Sequence, residues 1–164
     1  MDKEREERGM IGFTVQFSKD PWPLEKQGEV LRFDKCLSNT HKLYDVATGV
    51  FTVPLTGVYH FIVSQTLVQF SVQSGMCKSD DIGYSDLVLE NINRVPRLPL
   101  AHMILKTKES MFVDSQGSDD VDVILHKGDK IVLRHLEGDT VIRGQCHTTY
   151  SGTLDCLYSE RCPN

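Results

Sequence analysis

Eighteen consecutive residues, Tyr44 to Phe61, restrict this chain more than any other stretch: Tyr-Asp-Val-Ala-Thr-Gly-Val-Phe-Thr-Val-Pro-Leu-Thr-Gly-Val-Tyr-His-Phe. Phe51 and Val53 alternate with Val50 and Thr52, the period of a half-buried strand, and Tyr59, Phe61 and Val63 alternate the same way further on. Between them, Pro54 to Gly57 reads as a tight reversal. Proline fixes its own φ and has no N–H for a ladder, and Gly57 tolerates a backbone geometry that a side chain resists. Thr48-Gly49 marks an earlier turn. The segment predicts a β-hairpin, and it has no catalytic look.

Strand-like runs recur along the rest of the chain: Phe13 to Phe17, Val30 to Phe33, Tyr59 to Phe70, Asp86 to Glu90, His102 to Lys106, Met111 to Val113, Val121 to Leu125, Lys130 to His135 and Gly152 to Tyr158. A period of two, broken by turn residues every ~8–12 positions, predicts an all-β sandwich. No window sustains a period of 3.6 with caps, so helix should be close to absent.

The set Tyr44, Thr48, Gly49, Phe51, Pro54, Gly57, Tyr59 and Phe61 resembles the signature of the C1q globular-head family, complement-type members of the tumour-necrosis-factor-like jelly rolls. Gly12 to Phe17 is similar to the family's first strand and Leu89 to Val95 to its mid-domain strand and turn. Val121 to Leu133, with Gly128-Asp129 inside it, resembles a strand, Gly-Asp turn and strand, and Tyr150-Ser151-Gly152 the closing Phe-Ser-Gly, with Tyr for Phe. The resemblance implies a ten-stranded jelly-roll β-sandwich with one sheet facing a threefold axis, hence a homotrimer. It divides the chain into a charged N-terminal tail (1–10), a C1q-like domain (11–158) and a C-terminal tail (159–164).

Composition narrows the partners. At 164 residues and 40% hydrophobic content the chain can bury one core, and 18 basic against 23 acidic residues, net -5, oppose sequence-independent attraction to nucleic acid or an anionic membrane. No apolar run is long enough to span a bilayer, so membrane insertion is not expected. The first eight residues, Met-Asp-Lys-Glu-Arg-Glu-Glu-Arg, are unlike a signal peptide and read as a solvated tail. An extracellular, secreted location therefore rests on the resemblance alone. No Gly-X-Y repeat is present, which implies a head without a collagen stalk in this sequence.

Five cysteines, Cys36, Cys77, Cys146, Cys156 and Cys162, leave at least one thiol without an intrachain partner. A disulfide near Cys156 and Cys162 would staple the terminus, while Cys36 and Cys156 equally suit small hydrophobes on strands.

Candidate sites fall in connections. Ser71 to Tyr84 reads as an inserted surface loop, and Asp114 to Asp120 as a crowded acidic loop whose carboxylate repulsion something must offset. By resemblance, Asp114 and Gln116 fall nearest the family's calcium positions. Two side chains satisfy calcium's six to eight oxygens only with other donors, and a solvated acidic loop is the plainer reading. The histidines at 41, 60, 102, 126, 135 and 147 form neither a helical His pair nor finger spacing, so zinc is disfavoured. His60 should face the side of its strand opposite Tyr59 and Phe61. Cys146-His147 is the one Cys-His neighbour pair, without an orienting partner, and no nucleophile elbow, phosphate loop or dinucleotide fingerprint exists, so the chain reads as no enzyme. Trp22, between two prolines, reads as a packed clasp.

The resemblance implies a non-enzymatic trimeric recognition protein binding microbial or host glycans in the manner of a lectin-like innate-immune molecule. Arg94, Arg97, Lys106, Lys108 and Tyr84 are the ligand-binding candidates, against an ordinary solvated face. The alternative is a secreted signalling or synaptic-organiser-type ligand for a protein receptor.

Overall fold

The computed structural model describes residues 11–19, 28–68, 84–94, 96, 98–106, 115–138, 141–142 and 148–157. Eleven strands run through them in order: β1 (Gly12–Gln16), β2 (Lys35–Asn39), β3 (Tyr44–Asp45), β4 (Val50–Thr52), β5 (Gly57–Val68), β6 (Tyr84–Asn91), β7 (Leu98–Lys106), β8 (Ser115–Leu125), β9 (Lys130–Gly138), β10 (Val141–Ile142) and β11 (Thr149–Leu157). A single 3₁₀ turn, Thr40–Lys42, is the helical element among the described residues. One sheet joins β10, β5, β11, β1 and β2, with β8 on the other edge of β5; the second runs β3-β4-β9-β6-β7. Every pairing is antiparallel. This is the all-β jelly-roll sandwich expected, with the two-residue strands β3 and β10 taking the number past ten.

The core lies between the sheets and is aromatic. Phe13 is its hub, with ring centroids 5.0 Å from Tyr44, 4.8 Å from Phe51 and 4.9 Å from Tyr150. Each fully buried ring of this kind contributes about 1.5–3 kcal/mol by leaving water, and each pair a further ~0.5–1.5 kcal/mol. The strand period does the sorting: Tyr59, Phe61 and Val63 point inward from β5 and are buried.

The segment from Tyr44 to Phe61 is not one hairpin. Its hairpin is β3–β4, closed at Gly49, which takes φ +75 and donates to the Asp45 carbonyl at 2.7 Å. From β4 the chain crosses the sandwich, since β4 lies in the second sheet and β5 in the first. Phe51 and Tyr59 therefore meet face to edge across the core, centroids 6.0 Å apart, where hairpin neighbours would share a sheet. Pro54, lacking an N–H, suits a crossover as well as a reversal, so local chemistry does not separate the two. Gly57 is also required for a different reason. Its φ is not in the left-handed region; an added Cβ would lie 2.4 Å from the Cys156 carbonyl oxygen on β11.

Two further departures share a cause in tertiary pairing. Val30 to Phe33 makes only an isolated bridge, Val30 to Arg134, although Leu31 and Phe33 are buried. The strand forms instead at Lys35–Asn39, mostly exposed, because β1 offers it an edge. Likewise Ser115 to Asp120 is strand rather than loop: β5 continues to Val68, and Leu67 pairs with Ser115. A long partner strand overrides the weak strand propensity of Ser, Gly and Asp.

Gly128 and Asp129 form the turn that carries the chain from β8 in the first sheet to β9 in the second. Gly128 has φ +92, and the buried Asp129 carboxylate accepts from the His126 N–H at 2.9 Å. Val53 exchanges hydrogen bonds with this turn, through the Asp129 carbonyl and the Gly128 N–H, both 2.8 Å. Gly152 is packed between Phe13 and Phe61.

Candidate functional site

The central strand β5 has two faces. The inner one is the core; the outer one carries Val58, His60, Ile62 and Ser64. On β8 the same alternation turns Val121 and Val123 toward the core side and Asp120 and Asp122 outward, with His60 directly opposite Asp122 in the register. On the other flank His60 pairs with Thr153 of β11, where the register shifts between Leu154 and Cys156 and makes Asp155 the extra residue of a bulge. Bulges re-aim a side chain. Here the result is one imidazole among three carboxylates supplied by two neighbouring strands.

The His60 Nδ1 lies 2.6 Å from Asp122 Oδ1, and Nε2 lies 3.6 Å from Asp120 Oδ2. One ligand atom each from His60, Asp122 and Asp155 lies within 4.8 Å of the others. The hydrogen bond with Asp122 raises the His60 pKa, with the charges of Asp122, Asp155 and Asp120 adding to it against a smaller effect of burial. This is the group that offsets the acidic repulsion evident in the sequence. The composition of the set, one nitrogen and several carboxylate oxygens, suits proton or cation binding.

On the second sheet, Glu90 is buried and accepts a two-pronged contact from Arg134, one prong at 3.0 Å. Such a fork holds β6 to β9 and serves structure.

The sequence-derived candidates do not gather into one patch. Tyr84 and Lys106 occupy opposed positions in the β6–β7 ladder. Arg94 is exposed in the bend beyond the far end of β6, about 23 Å away at ~3.3 Å per residue, so it forms no common surface with that pair. Gln116 is on β8 opposite Thr66. Arg97, Lys108, Asp114, Trp22, Cys146-His147, the Met111 to Val113 run, both tails and most of the Ser71 to Tyr84 segment lie outside the described residues. Within them Gln116 can offer calcium one amide oxygen, far short of its usual shell, so calcium there requires Asp114 and further donors. Cys36 is an exposed free thiol, whereas Cys156 is engaged.

Sequence spacing missed the His60 cluster because Asp122 is 62 residues away from His60 and Asp155 is brought in by a bulge that alternation does not foresee. The one available signal was alternation: Asp120 and Asp122 flank Val121 as His60 flanks Phe61.

Residues 12–154 match the C1q domain family. The chain belongs to the C1q domain family. A curated relative, mouse "Complement C1q and tumor necrosis factor-related protein 9", is 39% identical over 69 residues, 42% of this chain. The match spans only 19% of that protein's length. Among solved structures, the globular domain of zebrafish complement 1qA protein superposes with TM-score 0.62 at 20% identity, covering 90% of this chain and 98% of that one. Eiger TNF from S. frugiperda gives 0.61 at 16% identity, covering 96% and 99%. Murine APRIL gives 0.56 at 12% identity, covering 88% and 99%. These likenesses establish the jelly-roll fold. C1q and TNF-like domains assemble as trimers and are generally non-enzymatic binding proteins, and C1q-domain homologues are typically secreted. No helix among the described residues is long and apolar enough to cross a membrane.

Proposed function

We propose that this C1q-domain chain is an extracellular, non-enzymatic homotrimeric recognition protein that binds microbial or host glycans. The observation carrying the reading is the C1q match across 12–154, on a sandwich whose outer β5–β8–β11 face leaves Ile124 exposed with Val58 and Ile62 half-buried. Apolar side chains on a sheet face gain by contact with another copy, and that face is the proposed subunit contact. Trimerisation then multiplies weak contacts through effective concentration. Recognition is assigned to Arg94 beyond β6 and to Tyr84 and Lys106 at the other end of the β6–β7 pair, together with Arg97, Lys108 and the Ser71 to Tyr84 segment as candidates from the sequence. The net charge of -5 disfavours direct attraction to anionic glycans, so a bridging cation such as calcium at Asp114 and Gln116 belongs to the proposal.

The alternative, a ligand for a protein receptor, is favoured by the tumour-necrosis-factor-related name of the 39% identical relative. A glycan and microbial-polysaccharide screen with and without calcium separates the readings. Saturable, sugar-competed binding supports the first; no sugar binding alongside capture of a receptor ectodomain refutes it in favour of the second.

A further inference from the structure

The outer face of β5, β8 and β11, proposed above as the subunit contact, also holds a side-chain cluster to which neither recognition reading gives a role. His60, Asp122 and Asp155 converge from three adjacent strands of one sheet, their ligand atoms within 4.8 Å of one another. A tetrahedral site built from one imidazole and two carboxylates has metal–ligand distances near 2.0–2.2 Å and so donor–donor edges of about 3.4 Å. The 2.6 Å contact between His60 Nδ1 and Asp122 Oδ1 is shorter than that edge, as expected where a proton bridges the two groups in place of a metal. Opening it by about 0.8 Å, with the exposed Asp155 carboxylate already within 4.8 Å of both partners, brings the set toward the required geometry.

A second observation points the same way. Asp120 stands on the opposite side of the imidazole, its Oδ2 3.6 Å from Nε2. Metal-bound histidines habitually offer their other ring N–H to a carboxylate, which fixes the tautomer and strengthens the ligating nitrogen. Asp120 is placed for that task, and it arrives there by the same strand period that brings Asp122 to Nδ1. An imidazole nitrogen in the set selects against calcium and magnesium, which take oxygen shells, and for zinc or cobalt(II).

We propose that His60, Asp122 and Asp155 form a zinc-type divalent-cation site, with Asp120 as the positioning residue behind the imidazole and water as the fourth ligand. All three ligands come from one chain, on the face proposed above as the subunit contact, and the site is distinct from any calcium at Asp114 and Gln116.

Zinc and cobalt(II) binding to the purified protein tests the site, by calorimetric titration and by cobalt visible absorption, in a Cys36→Ser background that removes the exposed thiol as a competing ligand. One cation per chain and intense tetrahedral cobalt bands are expected. His60→Gln, Asp122→Asn and Asp155→Asn should each weaken binding at least about tenfold, and Asp120→Asn should weaken it about 10-fold or more while keeping the stoichiometry. His126→Gln, a histidine away from the cluster, should leave it unchanged. The three ligand substitutions lie outside the core, and circular dichroism checks that each variant is folded while light scattering checks its assembly. The proposal is overturned if folded His60→Gln binds zinc as tightly as its parent, or if His126→Gln abolishes binding equally.

Discussion

Gly152→Ala tests the packing logic of the core at a position the sequence singled out. Gly152 lies on β11 opposite both Phe61 and Phe13, and an added Cβ would stand 2.7 Å from Phe61 Cε1 and 2.8 Å from Phe13 Cε1, against ordinary contacts of 3.4–4 Å. Neither ring can yield easily, since Phe13 is held by Tyr44, Phe51 and Tyr150, and Phe61 by Phe51 and Tyr150. Overpacking by one methyl in such a place costs about 1–3 kcal/mol, and the lost freedom of the unfolded chain returns less than ~1 kcal/mol of it. A net loss of about 2 kcal/mol lowers Tm by roughly 6 °C in a domain of this size. Thermal unfolding followed by near-ultraviolet circular dichroism measures it. The double variant Gly152→Ala/Phe61→Leu should be less destabilised than the sum of its singles, because the smaller side chain vacates the overlap. An unchanged or raised Tm for Gly152→Ala, or strict additivity in the double variant, would refute the reasoning.

Three further outcomes follow from buried polar groups. Tyr150 is fully buried, and its hydroxyl has no hydrogen-bond partner among the described residues, so Tyr150→Phe should raise stability by up to about 1–2 kcal/mol in urea unfolding; a loss of similar size would mean that the hydroxyl is satisfied. Burial raises the pKa of Tyr59 to about 12 and pushes those of Tyr44 and Tyr150 well above the ordinary tyrosine value. With folded values above the ordinary ~10, the protein keeps this stability below pH ~10 and loses it above, at up to about 1.4 kcal/mol per pH unit for each tyrosine, because only the unfolded chain releases the protons. Urea midpoints that stay flat from about pH 9 to pH 11 would contradict this. Arg134→Met strands the buried Glu90 carboxylate and should cost about 3 kcal/mol, whereas replacing both partners with apolar residues should cost far less; equal losses would show that the fork is not the source.

The residues that announced the family are the ones whose physics is local or repetitive. Tyr44, Phe51, Tyr59 and Phe61 are legible because alternation alone puts them inward, and Gly49 and Gly128 because their turns need positive φ. What alternation cannot state is which sheet a strand joins. The Pro54 to Gly57 link therefore read as a hairpin and is a crossover, and Gly57 answers to the approach of β11 rather than to its own backbone. Lys35–Asn39 and the start of β8 carry no strand pattern, because a neighbour's free edge makes them strands. The His60 cluster was hidden for the same reason: its register depends on β5, β8 and β11 lying side by side and on the bulge at Asp155. The expected ligand-binding residues Arg94, Tyr84 and Lys106 were legible as exposed connections and strand ends, but their separation along β6 was not.

The proposal that the outer β5–β8–β11 face joins three copies is tested most directly by light scattering on the purified protein at micromolar concentration, beside an Ile124→Asp variant. A trimer gives three times the 18.6 kDa chain mass, and the variant, with a charge placed on the exposed apolar position of β8, falls to a single chain. A mass of 18.6 kDa for the unaltered protein, or a trimer untouched by Ile124→Asp, would contradict it.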